Sequence, residues 1–426
     1  MGRPRREGGG VLAAEEVKQE MTEIRRARVG IEKIQAYSGQ AYLDLQELAR
    51  VRGEDPTHPT EFLHMDKRVV NPCWEDPVTM AVNAAKPMLT KEDLASVELL
   101  IFGTESGPDQ AKPISTFVQR FLGVNENCRC FEIKHACYGG TAALMMAAHW
   151  VASGAAGDAK ALVIACDQSR MNLGEKYEYL MGAGAVAMLV SNEPRVAEIE
   201  LETCAYWTKE VGDTFRPTSR AEAGNTDSSL YCYLEALDGA YAHFCRKNPE
   251  IDYLGHFARH IYHIPFGGMS RRAHRVVCKQ ASPGMRKAKI EESWRTKVLP
   301  SLTYTRQFGG LYGASTLIAL MGAIDTGEEL KGGDRVSIYA YGSGSNSEMY
   351  SVVLGPEARA IVGATKLQDH LDARRSLTVE HYEAMEKERT ATIDQATYTP
   401  SIEGFDGLYQ SHYRGKGLLV FRGLDG

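Results

Sequence analysis

Phe131-Glu-Ile-Lys-His-Ala-Cys137-Tyr-Gly-Gly-Thr-Ala-Ala-Leu-Met-Met146 sets one cysteine at the point where an extended run becomes a small, apolar helix. Phe131 and Ile133 alternate with polar neighbours, as one face of a strand does. The alanine- and methionine-rich stretch from Thr141 to Val151 reads as a buried helix. Gly139 and Gly140 let the backbone turn tightly and approach a substrate, and no packing purpose is expected of them. A cysteine at a helix amino terminus faces unpaired N–H groups and the positive end of the dipole, which favour thiolate. Cys137 is therefore expected to be a nucleophile; the competing reading is a buried structural thiol.

Outward from this turn, apolar runs end in polar or glycine loops. Val97 to Phe102 leads into Gly103-Thr104-Glu105-Ser106-Gly107, and Ala161 to Ala165 into Cys166-Asp167. Ala185 to Val190 leads into Ser191-Asn192, and Arg335 to Tyr341 into Gly342-Ser343-Gly344-Ser345. Helix-like stretches lie between them: Pro77 to Leu89, Ile114 to Leu122, Ser229 to Cys245 and Ala314 to Asp325. Alternating strands and helices predict α/β layers with both sheet faces covered. Each half offers a buried helix, a strand and a polar loop in that order, and a boundary near Pro194 would divide them. Lys209 to Ser228 reads as a long loop, Gly284 to Arg295 as an exposed helix, and Tyr398 to Gly426 as irregular chain packed on the body.

The composition narrows the class. Hydrophobic residues make up 43% and charged residues 24% of 426, as in ordinary soluble domains. A net charge of −6 argues against nucleic-acid binding. No apolar run approaches the ~20 residues that span a bilayer, so no membrane partner is expected. Nine cysteines, odd in number and scattered, suit reduced thiols in a cytoplasm. Cys128 and Cys130 form a C-x-C pair without a second pair or histidine cluster, so they read as structural and no metal is expected. Residues 1–20, rich in Arg, Glu and Gly, lack the apolar core of a signal peptide and are expected to be a disordered extension.

Three further groups can carry chemistry beside the thiol. Glu105, in a glycine-flanked loop after an apolar strand, is positioned to act as base or acid; a solvated loop glutamate is the alternative. His263 precedes Ile-Pro265-Phe-Gly-Gly-Met269, where Pro265 interrupts any helix. His256 and His260 compete with it, and spacing does not choose among them. Tyr341-Gly-Ser-Gly-Ser345 offers backbone donors suited to an oxyanion, with a plain tight turn as the alternative.

Gly-Thr-Glu105-Ser, Ala-Cys137-Tyr-Gly-Gly-Thr, His263-x-Pro-Phe and Tyr-Gly-Ser-Gly stand in one order, and as a set they resemble the 3-hydroxy-3-methylglutaryl-CoA synthase family. The resemblance implies a thiolase-like fold, with duplicated βαβαβ halves in a five-layer αβαβα arrangement (residues 21–194 and 195–426), and a homodimer. It implies that Cys137 takes an acyl group from a thioester, that Glu105 removes a proton from the acyl methyl carbon, and that His263 polarises the acceptor's β-keto carbonyl. Ser343, Gly344 and Tyr312 are expected on the substrate and oxyanion loop. No tightly bound cofactor is implied; the substrates would be phosphopantetheine thioesters.

Locally, Asn71-Pro-Cys-Trp-Glu75-Asp-Pro, Arg216-Pro with Glu222-Ala-Gly224, and Pro265-Phe-Gly-Gly-Met269 with Ala273-His274-Arg275 resemble the polyketide β-branching synthases. These work on donor and acceptor acyl carrier proteins. Gly268 occupies a position where the CoA-using enzymes generally carry lysine, and Gly310 one where an asparagine is usual. Arg271, Arg272, His274 and Arg275 are expected to form a basic patch that recruits acidic carrier proteins, a solvated helix face being the alternative. The competing functions are a primary-metabolism synthase on free CoA, a ketosynthase III-like decarboxylating enzyme, and a noncatalytic carrier-binding scaffold.

Overall fold

Two copies of one pattern, a buried helix followed by an antiparallel strand pair, build the centre of the molecule. The structure, a computed structural model, describes residues 28–169, 173–175, 177–218, 222–393, 395, 412–415 and 418–421. The first half contributes β1 (Gly30–Tyr37), α1 (Pro77–Ala85), β2 (Val97–Gly103), α2 (Ile114–Leu122), β3 (Arg129–Ile133), α3 (Gly139–Ala152), β4 (Lys160–Gln168) and β5 (Ala183–Ser191). The second half begins with β6 (Ala197–Ile199), β7 (Ala205–Thr208), the short strands β8 (Thr214–Phe215) and β9 (Ala223–Gly224), and α4 (Thr226–Lys247). It continues with β10 (Arg259–Tyr262), α5 (Gly267–Ala281), α6 (Lys287–Lys297), α7 (Ser315–Thr326), β11 (Arg335–Gly342), β12 (Asn346–Leu354) and α8 (Val379–Thr392). The repeated units are α3–β4–β5 and α7–β11–β12.

The strands are ordered β10-β11-β12-β6-β1-β5-β4-β2-β3, with β7 paired to β12. β2 runs parallel to β3 and β4, and β10 runs parallel to β11. The five-stranded halves are joined rather than separate: β1 pairs β6 through Gly30 with Glu198 and Ile31 with Ala197. A Cβ on Gly30 would stand 2.1 Å from the Ala197 carbonyl oxygen, so only glycine permits this junction. This is the thiolase-like arrangement that the resemblance implies. α7 is buried from Ser315 through Ile324, and α3 shares one apolar core with it. Their alanine-rich sequences let helix and sheet pack closely on both sides.

Three expectations require correction. The segment 209–228 is not all loop: β8 pairs β9, and Asn225 caps α4 by accepting the Asp227 and Ser228 N–H groups. The charged helix near residue 290 is amphipathic, because α6 buries Ile290 and Trp294. The tail contains an antiparallel pair, His412–Gly415 with Leu418–Phe421. The extension over residues 1–20 lies outside the described residues.

Candidate active site

Glu105, Cys137 and His263 each follow the carboxyl end of a parallel strand, where ligands collect in α/β sheets. The chain leaves β3 at Ile133 and turns so sharply that Ala136 adopts φ +41°, a strained conformation for a residue with a side chain. Tyr138 and Gly139 N–H bond back to the His135 and Ala136 carbonyls at 2.9 and 3.2 Å, and α3 starts at Gly139. Cys137 stands at the apex.

Glycines from three neighbouring segments make room for this turn. A Cβ on Gly103 would meet the Gly139 carbonyl at 2.4 Å, and one on Gly342 would meet Tyr138 N at 2.6 Å. A Cβ on Gly140 would meet the Gly313 carbonyl at 2.4 Å and Ala165 Cβ at 2.8 Å. Gly139 and Gly140 therefore do have a packing purpose, contrary to expectation: they let both halves close around the thiol.

Cys137 and Glu105 share the wall of a cavity of about 1070 Å³, together with His135, Tyr312, Arg216, Ser343 and Gly344. Cys137 is partly exposed to this space, yet burial, then the charges of Glu105 and Asp167, push its thiol well above the ordinary range. The thiolate expected from the helix terminus is disfavoured, because desolvation and two nearby carboxylates outweigh the dipole and Arg216.

Glu105 is held by groups that the sequence reading did not assign to the site. Asp167, at the end of β4, accepts hydrogen bonds from Thr104 Oγ1 (2.9 Å), Glu105 N (2.8 Å) and Ser106 Oγ (2.8 Å). Burial raises the Asp167 carboxyl, with Arg216 as the largest opposing influence. Arg216 reaches across from the second half; its Nε lies 2.8 Å from Glu105 Oε1, and one terminal nitrogen donates to Ser106 Oγ at 2.9 Å. It also pairs with Glu222, whose carboxylate accepts from Tyr312 OH at 2.7 Å, and its guanidinium stacks over the Tyr312 ring. The signal for Arg216 lies in Arg216-Pro and Glu222-Ala-Gly224, which by themselves carry only a likeness to one branch of the family.

His263 is not among the residues lining that cavity and is buried. Its Nδ1 lies 2.8 Å from Ser315 Oγ at the start of α7, and Tyr233 OH donates to its carbonyl at 2.8 Å. Burial lowers its imidazole to about 3, so the ring is neutral. The competitors are elsewhere: His260 stacks on Tyr253 and contacts Ser337 Oγ at 2.7 Å inside the core, while His256 is exposed.

Two loop expectations change. Gly344 N donates to Asp213 Oδ1 (3.0 Å) and Ser345 N to the Lys209 carbonyl (2.8 Å), so these two amides are committed to holding the loop rather than to an oxyanion. Gly310 is glycine for a local reason, since a Cβ there would stand 2.5 Å from the Leu180 carbonyl; an amide side chain does not fit this backbone. Gly268 is pressed equally hard, its would-be Cβ lying 2.2 Å from the Phe62 carbonyl.

Three of the four residues expected in the basic patch lie together. Arg271, Arg272 and Arg275 line a second cavity of about 600 Å³ with Lys287, Glu61, Phe62, His64, Glu291 and Trp294. His274 is not part of it. The helix turns that residue inward, where it is fully buried, with Nδ1 3.1 Å from Tyr262 OH and Nε2 2.9 Å from Ser293 Oγ. Among the described residues, no group of three or more His, Cys, Asp or Glu is arranged to hold a metal ion.

Residues 25–195 match the family described as hydroxymethylglutaryl-coenzyme A synthase N terminal, and residues 279–415 match its C-terminal counterpart. The polyketide biosynthesis 3-hydroxy-3-methylglutaryl-ACP synthase of Bacillus subtilis is 38% identical over 371 residues, covering 84% of this chain and 88% of that protein. The hydroxymethylglutaryl-CoA synthase of Enterococcus faecalis is 32% identical over 375 residues, covering 86% and 94%. Among solved structures, the curacin biosynthetic pathway HMG synthase in complex with acetyl donor-ACP superposes with a TM-score of 0.88 at 36% identity, covering 93% of this chain and all of that one.

Proposed function

The chain belongs to the hydroxymethylglutaryl-coenzyme A synthase family, and from that premise we propose that it performs the polyketide β-branching condensation on acyl carrier proteins. The donor's acetyl thioester is attacked by Cys137 Sγ, the Cys137 proton leaves, and the carrier's phosphopantetheine thiol is released. Glu105 then removes a proton from the methyl carbon of the acetyl–Cys137 thioester. The resulting enolate adds to the β-keto carbonyl of an acceptor carried by a second carrier protein, and the alkoxide so formed takes up the proton of the 3-hydroxyl group. Water finally cleaves the Cys137 thioester, releasing a 3-hydroxy-3-carboxymethyl acyl thioester and restoring the thiol.

The observation that carries this reading is one cavity wall holding Cys137, at the apex of a strained turn, together with Glu105. A thioester makes its α-carbon acidic enough for a positioned carboxylate to act, provided the enolate oxygen meets a donor. We assign that donor to the Cys137 N–H. His263, neutral and bonded to Ser315 through Nδ1, is assigned to donate from Nε2 to the acceptor carbonyl.

The remaining assignments rest on simpler grounds. A homodimer is supported by the outer edge of β3, which no strand among the described residues pairs, and by exposed Phe131 and Met146 on β3 and α3. Residues 21–194 and 195–426 are taken as the two halves, the junction falling between β5 and β6. A cytoplasmic setting agrees with nine free thiols, and no described helix is long and apolar enough to cross a membrane. Arg271, Arg272 and Arg275 are assigned to carrier-protein recruitment.

Intact-protein mass spectrometry after incubation with acetyl-carrier protein, run beside acetyl-CoA, tests the proposal. The expected result is an acetyl adduct on Cys137 that forms faster from the carrier and disappears when a β-ketoacyl carrier is added. Preferential loading from CoA would move the protein to the primary-metabolism class; no adduct from either donor would end the enzyme reading.

A further inference from the structure

The hairpin β8–β9 touches three separate parts of the site. Asp213, one residue before β8, accepts from Tyr341 OH (2.7 Å) and Gly344 N (3.0 Å), and so pins the loop after β11. Arg216, one residue after β8, spans Glu105 and Ser106. Glu222, one residue before β9, holds Tyr312, whose φ of +47° is unusual for a residue with a side chain. Glu105, Glu222 and Asp167 are three carboxylates gathered around the single guanidinium of Arg216.

One guanidinium among three carboxylates makes Arg216 decisive. Burial penalises every ionised group here, and neighbouring carboxylates penalise one another. Burial also works against the arginine, but Glu105, Tyr312, Glu222 and Asp167 outweigh it and hold its pKa above the usual range. Remove that cation and the carboxylates face each other in a desolvated space. The least costly response is for one or more to take up a proton, and a protonated Glu105 cannot accept another from carbon.

We propose that Arg216 is a positioning residue for the condensation: it keeps the Glu105 carboxylate ionised and aimed at the acyl group on Cys137. The inference rests on the reading of Glu105 as the carbon base. This role requires of Arg216 neither a contact with the thioester or acceptor nor a proton transfer. The assignment also explains why the hairpin belongs to the second half while its cation serves the first. Half-to-half docking and base ionisation then depend on the same contact.

The test is hydrogen exchange at the acetyl methyl group of acetyl-loaded enzyme in D2O, followed by mass spectrometry across pH, for wild type, Glu105→Gln, Arg216→Gln and Arg216→Lys. Wild type exchanges with an acid limb set by ionisation of the base. Glu105→Gln should load acetyl yet not exchange. Arg216→Gln should load acetyl, exchange at least about tenfold more slowly at neutral pH, and show its acid limb moved up by about one to three pH units. Arg216→Lys keeps the charge and should return the limb close to wild type, whatever its rate.

Each alternative outcome has a distinct meaning. An unmoved limb in Arg216→Gln, with Glu105→Gln inactive, overturns the role of Arg216 and leaves Glu105 as base. Normal exchange in Glu105→Gln removes the base reading itself. If Arg216→Gln does not fold, Arg216→Lys decides: a limb displaced despite the retained charge contradicts the electrostatic role.

Discussion

Gly140 and Gly313 bring the amino-terminal ends of the two buried helices into backbone contact, close enough that a Cβ on Gly140 would stand 2.4 Å from the Gly313 carbonyl oxygen. That contact is where the two halves meet behind the nucleophile, since a Cβ on Gly313 would in turn lie 3.4 Å from the Cys137 carbonyl. Alanine at 140 gains roughly 1 kcal/mol of helix propensity but meets backbone, which cannot rotate away. The clash should win, with Gly140→Ala destabilised by about 1–3 kcal/mol in urea titration. A midpoint equal to wild type would show that the two helices can separate without cost.

The thiol of Cys137 should stay protonated at neutral pH and react only through its minor thiolate fraction. Burial, Glu105 and Asp167 all push its ionisation upward, so the rate of alkylation by iodoacetamide should keep rising through pH 9 without a plateau. Glu105→Gln removes one of the opposing charges and should accelerate alkylation at fixed pH, while it blocks condensation. A plateau below pH 8 in wild type would mean that the helix terminus prevails after all. Cys137→Ala should abolish acyl loading altogether.

Much of this site was legible from residue order. Strand-ending loops placed Glu105, Cys137 and the Tyr341 turn, and Pro265 marked His263 as lying outside a helix. What escaped was set by contacts between distant segments. Nothing local announces that Gly139 and Gly140 pack against Gly103 and Gly313, because the partners are 36 and 173 residues away respectively. Arg216 likewise acquires its role only when the hairpin folds across Glu105. His274 was misread because its neighbours in sequence are arginines, whereas α5 turns it toward Tyr262 and Ser293. The sign of the Cys137 shift could not follow from a helix end alone, since the opposing carboxylates arrive from β2 and β4.

Buried neutral histidines should make the protein sensitive to acid. Burial lowers His263 to about 3, and His274 and His370 to about 4, against about 6.5 in an unfolded chain. Between those values the unfolded state binds more protons, so the stabilising contribution is complete above pH 6.5 and is lost as pH falls. Each such histidine costs about 2 kcal/mol between pH 6.5 and 5. Glu75 acts in the opposite sense, because burial raises it to about 7 and acid then favours the folded form. Comparing His274→Gln with wild type isolates one group: the urea midpoint of the variant should fall less between pH 7 and 5. Parallel pH dependences would mean that His274 is protonated in the folded state or leaves the core.

Carrier-protein capture should depend unequally on the three arginines around the second cavity. Arg271 is partly neutralised, its Nε lying 2.8 Å from Glu291 Oε2, whereas no ion pair among the described residues engages Arg272 or Arg275. An acidic carrier would therefore meet net charge mainly at Arg272, Arg275 and Lys287. Arg272→Glu and Arg275→Glu should each raise KM for acetyl-carrier protein by about tenfold, with kcat nearly unchanged, and Arg271→Glu by less. Reaction with a small acetyl thioester should be unaffected, because it needs only the thiol and its base. The effect should also shrink as salt rises, since these side chains stand at the surface and their attraction is screened. Equal loss with carrier and small thioester would instead assign these arginines to holding α5 and α6 together, and recruitment would have to be sought on another face.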